Sequence, residues 1–244
     1  MRRVVLLGSL VPLALAACGD AIDEMGDIYS HGAAHAVLCG FSVDNKNGVS
    51  SQDIAAGLER AQAAGALLHL YAHRPAVTVD VSTIEATFAN AAQRGLPFVT
   101  YAQLAADPQL GGAGLVFSFD DHDVAGWYPL RDLFARYDAK VTFFISDYHV
   151  LTDEEKQDLH QLEADGHAIE YHSTSHLNAP QYVAAHGMDA YIHDDILPDL
   201  SLMRAEGFDP KVFAYPGGAR TPATDQAVLD RFSLVRAIQS TCPY

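Results

Sequence analysis

Apolar residues along the chain occur in short runs that alternate with amphipathic stretches. Eight runs have the length and composition of buried strands: residues 36–44, 66–73, 96–101, 114–121, 140–146, 166–173, 211–216 and 233–238. Helical patterns lie between most of them, over residues 51–64, 82–94, 127–137, 152–165, 189–206 and 222–232. This alternation predicts parallel strands joined by crossover helices. Eight candidate strands in one domain indicate closure into a barrel.

The first residues have the pattern of a secretion signal. A charged start precedes an apolar segment, and the signal covers residues 1–17. Leu15-Ala-Ala-Cys18 resembles a bacterial lipobox, which predicts cleavage before Cys18 and a lipid on that cysteine. An ordinary signal peptide and an uncleaved anchor are the alternatives. We expect residues 18–35 to be a tether and residues 36–244 to be one domain, lipid-anchored in a bacterial cell envelope.

The charge of the chain narrows the choice of partners. Lys and Arg total 15 against 31 Asp and Glu, a formal net charge of −16. Such an acidic chain is a poor partner for nucleic acid or for anionic lipid surfaces, but it is compatible with neutral glycans. Contact with the membrane is therefore expected only through the N-terminal lipid.

Three cysteines are present, and lipidation of Cys18 would leave Cys39 and Cys242. A remaining pair in an oxidising compartment favours a disulfide, while two buried thiols are the alternative. The sequence alone leaves both open.

Two polar segments follow predicted strands. Phe117-Ser-Phe-Asp-Asp121 ends in two adjacent carboxylates, and His172-Ser-Thr-Ser-His176 places two imidazoles four residues apart. One carboxylate with two histidines is the ligand count of an open, catalytic metal site with room for water. The other carboxylate is then free to act as a base. A second pair, His31 and His35, has no strand-end carboxylate nearby, so we do not expect a specific metal site there.

These segments resemble the NodB-homology polysaccharide deacetylases, carbohydrate esterase family four. Residues 117–121 match the family's T-F-D-D strand end, with Ser in place of Thr. His172, Ser173 and His176 match its H-[ST]-x-x-H motif in full. Flanking segments resemble the family as well, over residues 127–137, 139–145 and 163–171. The resemblance implies an α/β fold, a distorted (β/α) barrel of about seven parallel strands, and a deacetylase.

The resemblance also implies roles for the motif residues. Asp121, His172 and His176 would bind a divalent metal, with zinc expected first and cobalt or nickel as alternatives. Asp120 would be the general base that takes a proton from the attacking water. Ser173 would hold the loop or a ligand in place.

The family's third motif, R-x-P-x-G, is only partly matched by Ala214-Tyr-Pro-Gly-Gly218. The missing arginine normally pairs with the base, which puts the orientation of Asp120 in doubt. Arg220 is a candidate substitute, and an ordinary surface arginine is the alternative. By analogy, a backbone N–H in the segment Tyr215, Pro216, Gly217 is expected to stabilise an oxyanion.

The last family motif is a strand ending in Leu-x-His. Leu67-Leu-His69 matches it literally, and Leu70-Tyr-Ala-His73 has one extra residue. We prefer His73 as the general acid because it ends the strand, whereas His69 lies in mid-strand. Asp44 resembles the family's acidic residue that orients this histidine. A turn-forming Asp-Asn pair is the alternative for Asp44.

The order of the motifs departs from the family. The first motif normally lies near the start of the domain, but here residues 36–107 precede it and resemble the family's C-terminal part. Residues 114–244 resemble its N-terminal part. Circular permutation explains this order, since barrel termini lie close together. The alternative is a separate N-terminal subdomain followed by a truncated deacetylase. Permutation also predicts that Cys39 and Cys242 lie side by side.

The expected function is removal of acetyl groups from an N-acetylated or O-acetylated polysaccharide by a monomeric, metal-dependent hydrolase. His73, oriented by Asp44, would protonate the leaving group. The main alternative is a catalytically impaired glycan-binding lipoprotein on the same scaffold, which the missing arginine favours. A metal-binding protein without esterase turnover is a third possibility.

Overall fold

Eight strands form one sheet in the computed structural model, which describes residues 22–242. The strands are β1 Tyr29–Ser30, β2 Val37–Ser42, β3 Leu67–Ala72, β4 Gly114–Asp121, β5 Thr142–Ile145, β6 Ala168–Tyr171, β7 Val212–Ala214 and β8 Leu234–Ile238. Strands β2 to β8 pair in parallel in the order β3-β2-β8-β7-β6-β5-β4, and β3 also pairs with β4. These seven strands therefore close into a barrel, which confirms the predicted fold.

Helices surround the barrel, and most of them follow the predicted pattern. They are α1 Ser51–Ala64, α2 Val81–Gln93, α3 Tyr101–Ala106, α4 Val124–Trp127, α5 Arg131–Arg136, α6 Asp153–Ala164, α7 Ala179–His186, α8 Met188–Tyr191, α9 Leu197–Ala205 and α10 Pro222–Leu229. A π-helical turn, Ile192–Ile196, joins α8 to α9. Capping boxes start α1 at Ser50 and α6 at Thr152, because each hydroxyl accepts a hydrogen bond from the third backbone N–H of its helix. No helix within residues 22–242 is long and apolar enough to cross a membrane.

Alternation along the strands separates two apolar layers. The larger layer lies between the strands and the surrounding helices, and the smaller one fills the barrel. On β4, Val116 belongs to the inner layer, so Ser118 and Asp120 face inward as well. On β8, Leu234 is an inner residue, and Arg236 shares its side of the strand. The strands thus carry charged groups into the barrel toward their carboxyl ends.

The predicted strand over residues 96–101 is wrong. Phe98 makes only an isolated bridge to Leu115, and helix α3 begins at Tyr101. Pro97 has no N–H to donate to a sheet. Thr100 and Gln103 form a capping box that starts the helix instead. The β-like composition of this segment was therefore overridden by local capping.

The expected tether differs from the structure over residues 22–35. Ile22, Met25 and Ile28 are buried in the larger apolar layer. The following strand β1 pairs antiparallel with β3, with Tyr29 opposite Leu68. Burial of these three regularly spaced apolar residues favours packing over a free tether. The expected lipid site Cys18 and the signal segment lie outside the described residues and stay predictions.

Candidate active site

Three side chains at the carboxyl ends of β4 and β6 form the candidate metal site. Ligand atoms of Asp121, His172 and His176 all lie within 4.8 Å of one another. An oxygen of Asp121 is 3.7 Å from Nε2 of His172 and 3.4 Å from Nε2 of His176. Both rings therefore turn the same nitrogen toward one carboxylate. This set of one oxygen and two nitrogens, with open positions, fits a divalent cation such as Zn²⁺.

The backbone at these motifs adopts an unusual conformation. Positive φ angles occur at Asp121 (86°), Ser173 (79°) and His176 (52°). Adjacent strand residues normally face opposite sides of a sheet. The left-handed conformation at Asp121 ends β4 at that residue, so Asp120 stays inward while Asp121 turns to the rim. Each such residue costs about 1–3 kcal/mol, and strain of this kind clusters at functional sites.

A hydrogen bond and burial fix the orientation and the neutral state of His172. Nδ1 of His172 lies 2.8 Å from the carbonyl oxygen of Ala214, which makes Nδ1 the donor and leaves Nε2 with a free lone pair. Burial lowers the pKa of His172 to about 4, so the ring is neutral. Burial by itself would raise the pKa of Asp121, but its hydrogen bond to His176 holds that pKa well below its usual range. The site therefore offers an ionised carboxylate and a neutral imidazole at neutral pH.

Asp120 forms a buried ion pair with Arg236 of β8. Both side chains are almost fully buried. Burial opposes the charge of Arg236, yet the pKa of the guanidinium is raised because Asp120 faces it. This arginine supplies the pairing that the third motif lacks, and sequence reasoning missed it. A signal was present, since a single arginine inside an apolar strand requires a buried partner.

Arg220 does not take the place of the missing arginine. Its guanidinium pairs with Asp225 and also donates to the carbonyl oxygen of Thr241 at 3.0 Å. Both partners lie close to Arg220 in the sequence or at the chain end, away from Asp120. The suggestion that Arg220 orients the base is therefore not supported, because Asp120 is paired with Arg236 and not with Arg220.

His73 lies against Asp44 just after β3, the strand that pairs with β4. Nδ1 of His73 is 2.5 Å from Oδ2 of Asp44, and the backbone N–H of His73 donates to Oδ1 at 3.2 Å. Thr78 donates to the same Oδ1 at 3.0 Å, and Trp127 donates to the carbonyl oxygen of His73 at 2.7 Å. The histidine is thus held at both its ring and its backbone.

The electrostatics of the pair Asp44 and His73 suit a proton donor. Burial favours the neutral ring, but hydrogen bonding to Asp44 and the charge of Asp120 raise the pKa of His73 above its usual value. A cavity of about 460 Å³ reaches from this pair to the metal site. Its lining residues are Asp44, Asn45, Lys46, His73, Arg74, Val77, Thr78 and Asp121.

His69, the alternative acid, lies elsewhere. Its ring is buried in mid-strand, with Nε2 2.8 Å from the hydroxyl of Ser30 and Nδ1 3.1 Å from that of Tyr101. Burial lowers the pKa of His69 to about 3. Both ring nitrogens are occupied and the ring stays neutral, so His69 is unsuited to donate a proton at the mouth.

A backbone N–H of Tyr215, Pro216 or Gly217 is expected to stabilise an oxyanion. Two of these three residues have no free N–H. The N–H of Tyr215 donates to the carbonyl oxygen of Arg236 at 3.0 Å, and Pro216 has none. Gly217 is exposed, has a φ of 57°, and its N–H makes no hydrogen bond within residues 22–242. Of the three residues, only Gly217 therefore has an N–H that is free to stabilise an oxyanion.

Of the two remaining cysteines, Cys39 lies on β2 and Cys242 is the last residue that the structure describes. A disulfide joins Cys39 on β2 to Cys242, with a Cα–Cα distance of 5.8 Å. Strands β2 and β8 pair in parallel, with Cys39 opposite Ala237, and this brings the two cysteines together. The pair His31 and His35 is exposed and is not part of the candidate metal cluster.

A closed parallel barrel carries, toward the carboxyl ends of its strands, a carboxylate and two histidines that could hold a metal ion, an arrangement also found in metal-dependent hydrolases. Residues 109–231 match the family described as polysaccharide deacetylase. The chain belongs to this family, and that membership makes it a deacetylase enzyme. No curated protein matches the chain.

Solved structures include similar folds. IcaB from Ammonifex degensii is 21% identical, with a TM-score of 0.56 over 72% of this chain and 86% of that one. The deacetylase PplD from Streptococcus pyogenes, determined in complex with acetate, is 17% identical, with a TM-score of 0.49 over 69% of this chain and 80% of that one. The first of these likenesses supports the barrel fold.

Proposed function

We propose that this chain removes acetyl groups from an acetylated polysaccharide through a metal site formed by Asp121, His172 and His176. One observation carries the proposal. At a single barrel mouth, these three ligands lie beside a carboxylate held by Arg236 and within one cavity of a histidine held by Asp44. Such a site has a ligand set, a base and an acid in separate positions.

A divalent metal, zinc in our proposal and cobalt or nickel as alternatives, would supply a Lewis acid for the acetyl carbonyl and for water. Asp120, fixed by Arg236, accepts the proton of the attacking water. The N–H of Gly217 donates to the oxyanion that develops on the acetyl group. His73, oriented by Asp44, donates a proton to the leaving nitrogen or oxygen. The products are acetate and a free amine or hydroxyl.

The alternative of an impaired glycan-binding lipoprotein loses its main support. It depended on the absence of an arginine beside Asp120, and Arg236 occupies that position. A metal-binding protein without turnover would not need the pair of Asp44 and His73 beside the metal site. We therefore favour the enzyme.

Acetate release tests this function most directly. The full chain is incubated with panels of N-acetylated and O-acetylated glycans, with and without a chelator, and then with added zinc, cobalt or nickel. We expect release that the chelator abolishes and one of the metals restores. Absence of release from every glycan with every metal would contradict the proposal.

Circular permutation is part of the proposal. The family match begins at residue 109, yet residues 36–107 contribute β2 and β3 to the same barrel. Strand β3 pairs in parallel with β4, and the disulfide joins Cys39 to Cys242. These contacts favour permutation over a separate N-terminal subdomain. A variant that links residue 242 to residue 36 and opens the loop at residues 107–113 should fold and release acetate.

The proposed location is the bacterial cell envelope, with a lipid on Cys18. The disulfide supports an oxidising compartment, although it does not distinguish a lipid anchor from simple secretion. Labelling of the expressed chain with a radioactive fatty acid tests the anchor. Label in the wild type and none in Cys18→Ser is the expected result.

A further inference from the structure

Asp195 is a fully buried carboxylate that the proposed chemistry does not use. Its exposed fraction is 0%, although aspartate is among the residue types least often buried without a reason. It belongs to the π-helical turn between α8 and α9, and it is not one of the clustered ligands. We propose that Asp195 is a positioning residue that holds the loop carrying His172 and His176 in its metal-binding shape. This inference rests on the metal site proposed above.

The contacts of Asp195 are concentrated on that loop. Its Oδ1 accepts a hydrogen bond from the N–H of Ser175 at 2.7 Å. Its backbone carbonyl accepts from the N–H of Thr174 at 2.8 Å and from the hydroxyl of Tyr171 at 3.1 Å. One residue from a distant helix thus binds two of the three N–H groups that lie between the two histidines.

The loop needs such support because its backbone is strained. Ser173 and His176 both have positive φ angles, 79° and 52°. Conformations of this kind persist only where surrounding contacts impose them. The N–H of His176 is bound within the loop by the hydroxyl of Ser173 at 3.0 Å, whereas Thr174 and Ser175 depend on Asp195. Without Asp195, the loop can relax and His176 moves away from Asp121.

Asp195 points inward from the π-helical turn, whereas its neighbour Asp194 does not. Asp194 is exposed and accepts a hydrogen bond from the hydroxyl of Tyr182 at 2.7 Å. Extra residues of this kind in a helix are frequent at functional sites, because they redirect side chains. The two adjacent aspartates therefore form a matched pair, one facing the loop and one facing solvent.

The test compares Asp195→Ala with Asp194→Ala in the full chain. Metal is removed with a chelator, and Co²⁺ is titrated with visible absorption as the readout. We expect the apparent Kd for Co²⁺ to rise about 10–100-fold in Asp195→Ala, as for other residues that orient ligands, and to stay at the wild-type value in Asp194→Ala. Excess Co²⁺ should restore acetate release in Asp195→Ala, because the catalytic groups are intact.

Hydrogen exchange gives an independent readout. The N–H of Ser175, which the carboxylate binds, should exchange faster in metal-free Asp195→Ala than in metal-free Asp194→Ala. Equal Co²⁺ affinity in the two variants would overturn the proposal. If Asp195→Ala does not fold, the same comparison uses Asp195→Leu and Asp194→Leu, which fill a similar volume without an acceptor oxygen, and equal affinity again overturns it. Retention of Co²⁺ by Asp121→Ala would instead contradict the ligand set, whatever Asp195 does.

Discussion

The two sides of the barrel mouth are built in different ways. The ligand side consists of Asp121, His172 and His176, which belong to two short motifs at the ends of β4 and β6. The proton side consists of the pairs Asp120–Arg236 and Asp44–His73, whose members are 116 and 29 residues apart in sequence. The ligand side is therefore readable from local motifs, whereas Asp120 and Arg236 meet only across the closed barrel and Asp44 and His73 meet through the pairing of β2 with β3. Substitutions on the ligand side should therefore remove the metal and the activity together, whereas substitutions on the proton side should lower turnover while the metal stays bound.

The largest effect is expected on the ligand side. Asp121→Ala, His172→Ala and His176→Ala should each lose bound metal and acetate release together, because each removes a ligand. Metal content by elemental analysis and an acetate assay check this. Asp120→Asn is the control from the proton side, and it should keep the metal while losing turnover. Undiminished metal in all three ligand variants would refute the site.

His73→Ala tests whether the proton side acts apart from the metal. We expect turnover to fall about 10²–10⁴-fold, the usual contribution of a general acid, while metal content stays at the wild-type level. His69→Gln is the comparison, since its ring faces Ser30 and Tyr101 rather than the mouth. Normal turnover in His73→Ala would remove the acid role from this residue.

Arg236→Met breaks the buried pair and leaves the carboxylate of Asp120 without a partner. Unfolding by urea should show a loss of about 3–5 kcal/mol in the free energy of unfolding, with reduced turnover. The double variant Asp120→Asn/Arg236→Met should recover much of that stability without activity. Arg220→Ala should leave turnover unchanged, and a matching loss in that variant would contradict the assignment of Arg236.

Asp44→Asn tests the pair of Asp44 and His73 through the dependence of kcat on pH. Hydrogen bonding to Asp44 and the charges of Asp120, Asp44 and Asp121 raise the pKa of His73 against the opposing effect of burial. The protonated acid is therefore present below this raised pKa and is lost as pH rises through it. In Asp44→Asn, with the same metal bound, the alkaline fall in kcat should move to lower pH. If the alkaline fall in kcat stays at the wild-type pH, the titration of His73 is not its cause.

Cys242→Ser should have the smallest effect on turnover. The disulfide to Cys39 closes most of the chain into a loop, and its loss should lower the free energy of unfolding by about 2–4 kcal/mol. Because the sulfurs do not line the mouth cavity, kcat should be unchanged in the folded variant. A large fall in kcat without a change in stability would link the chain ends to the site.

Much of the fold follows from the sequence because its signals are local. Seven of the eight predicted strands correspond to barrel strands, since apolar runs bounded by helix patterns are set by neighbouring residues. The exception, residues 96–101, shows where prediction of strands from apolar runs fails. There Pro97 and the Thr100–Gln103 capping box, also local signals, outweigh β-like composition. The sequence analysis missed the short antiparallel strand β1, because residues 22–30 have no clear strand pattern of their own. Their structure depends on pairing with β3 and on burial in the larger apolar layer.

The sequence by itself determined the barrel class, the adjacent carboxylates and the histidine pair, because each is encoded in a few consecutive residues. Only the tertiary structure decided which arginine faces Asp120, which N–H remains free near Tyr215, and which buried acid supports the histidine loop. Arg236, Gly217 and Asp195 owe their positions to strand neighbours or to a π-helical turn. Such contacts depend on where strands and helices lie in space, and one sequence without its fold does not specify those distances.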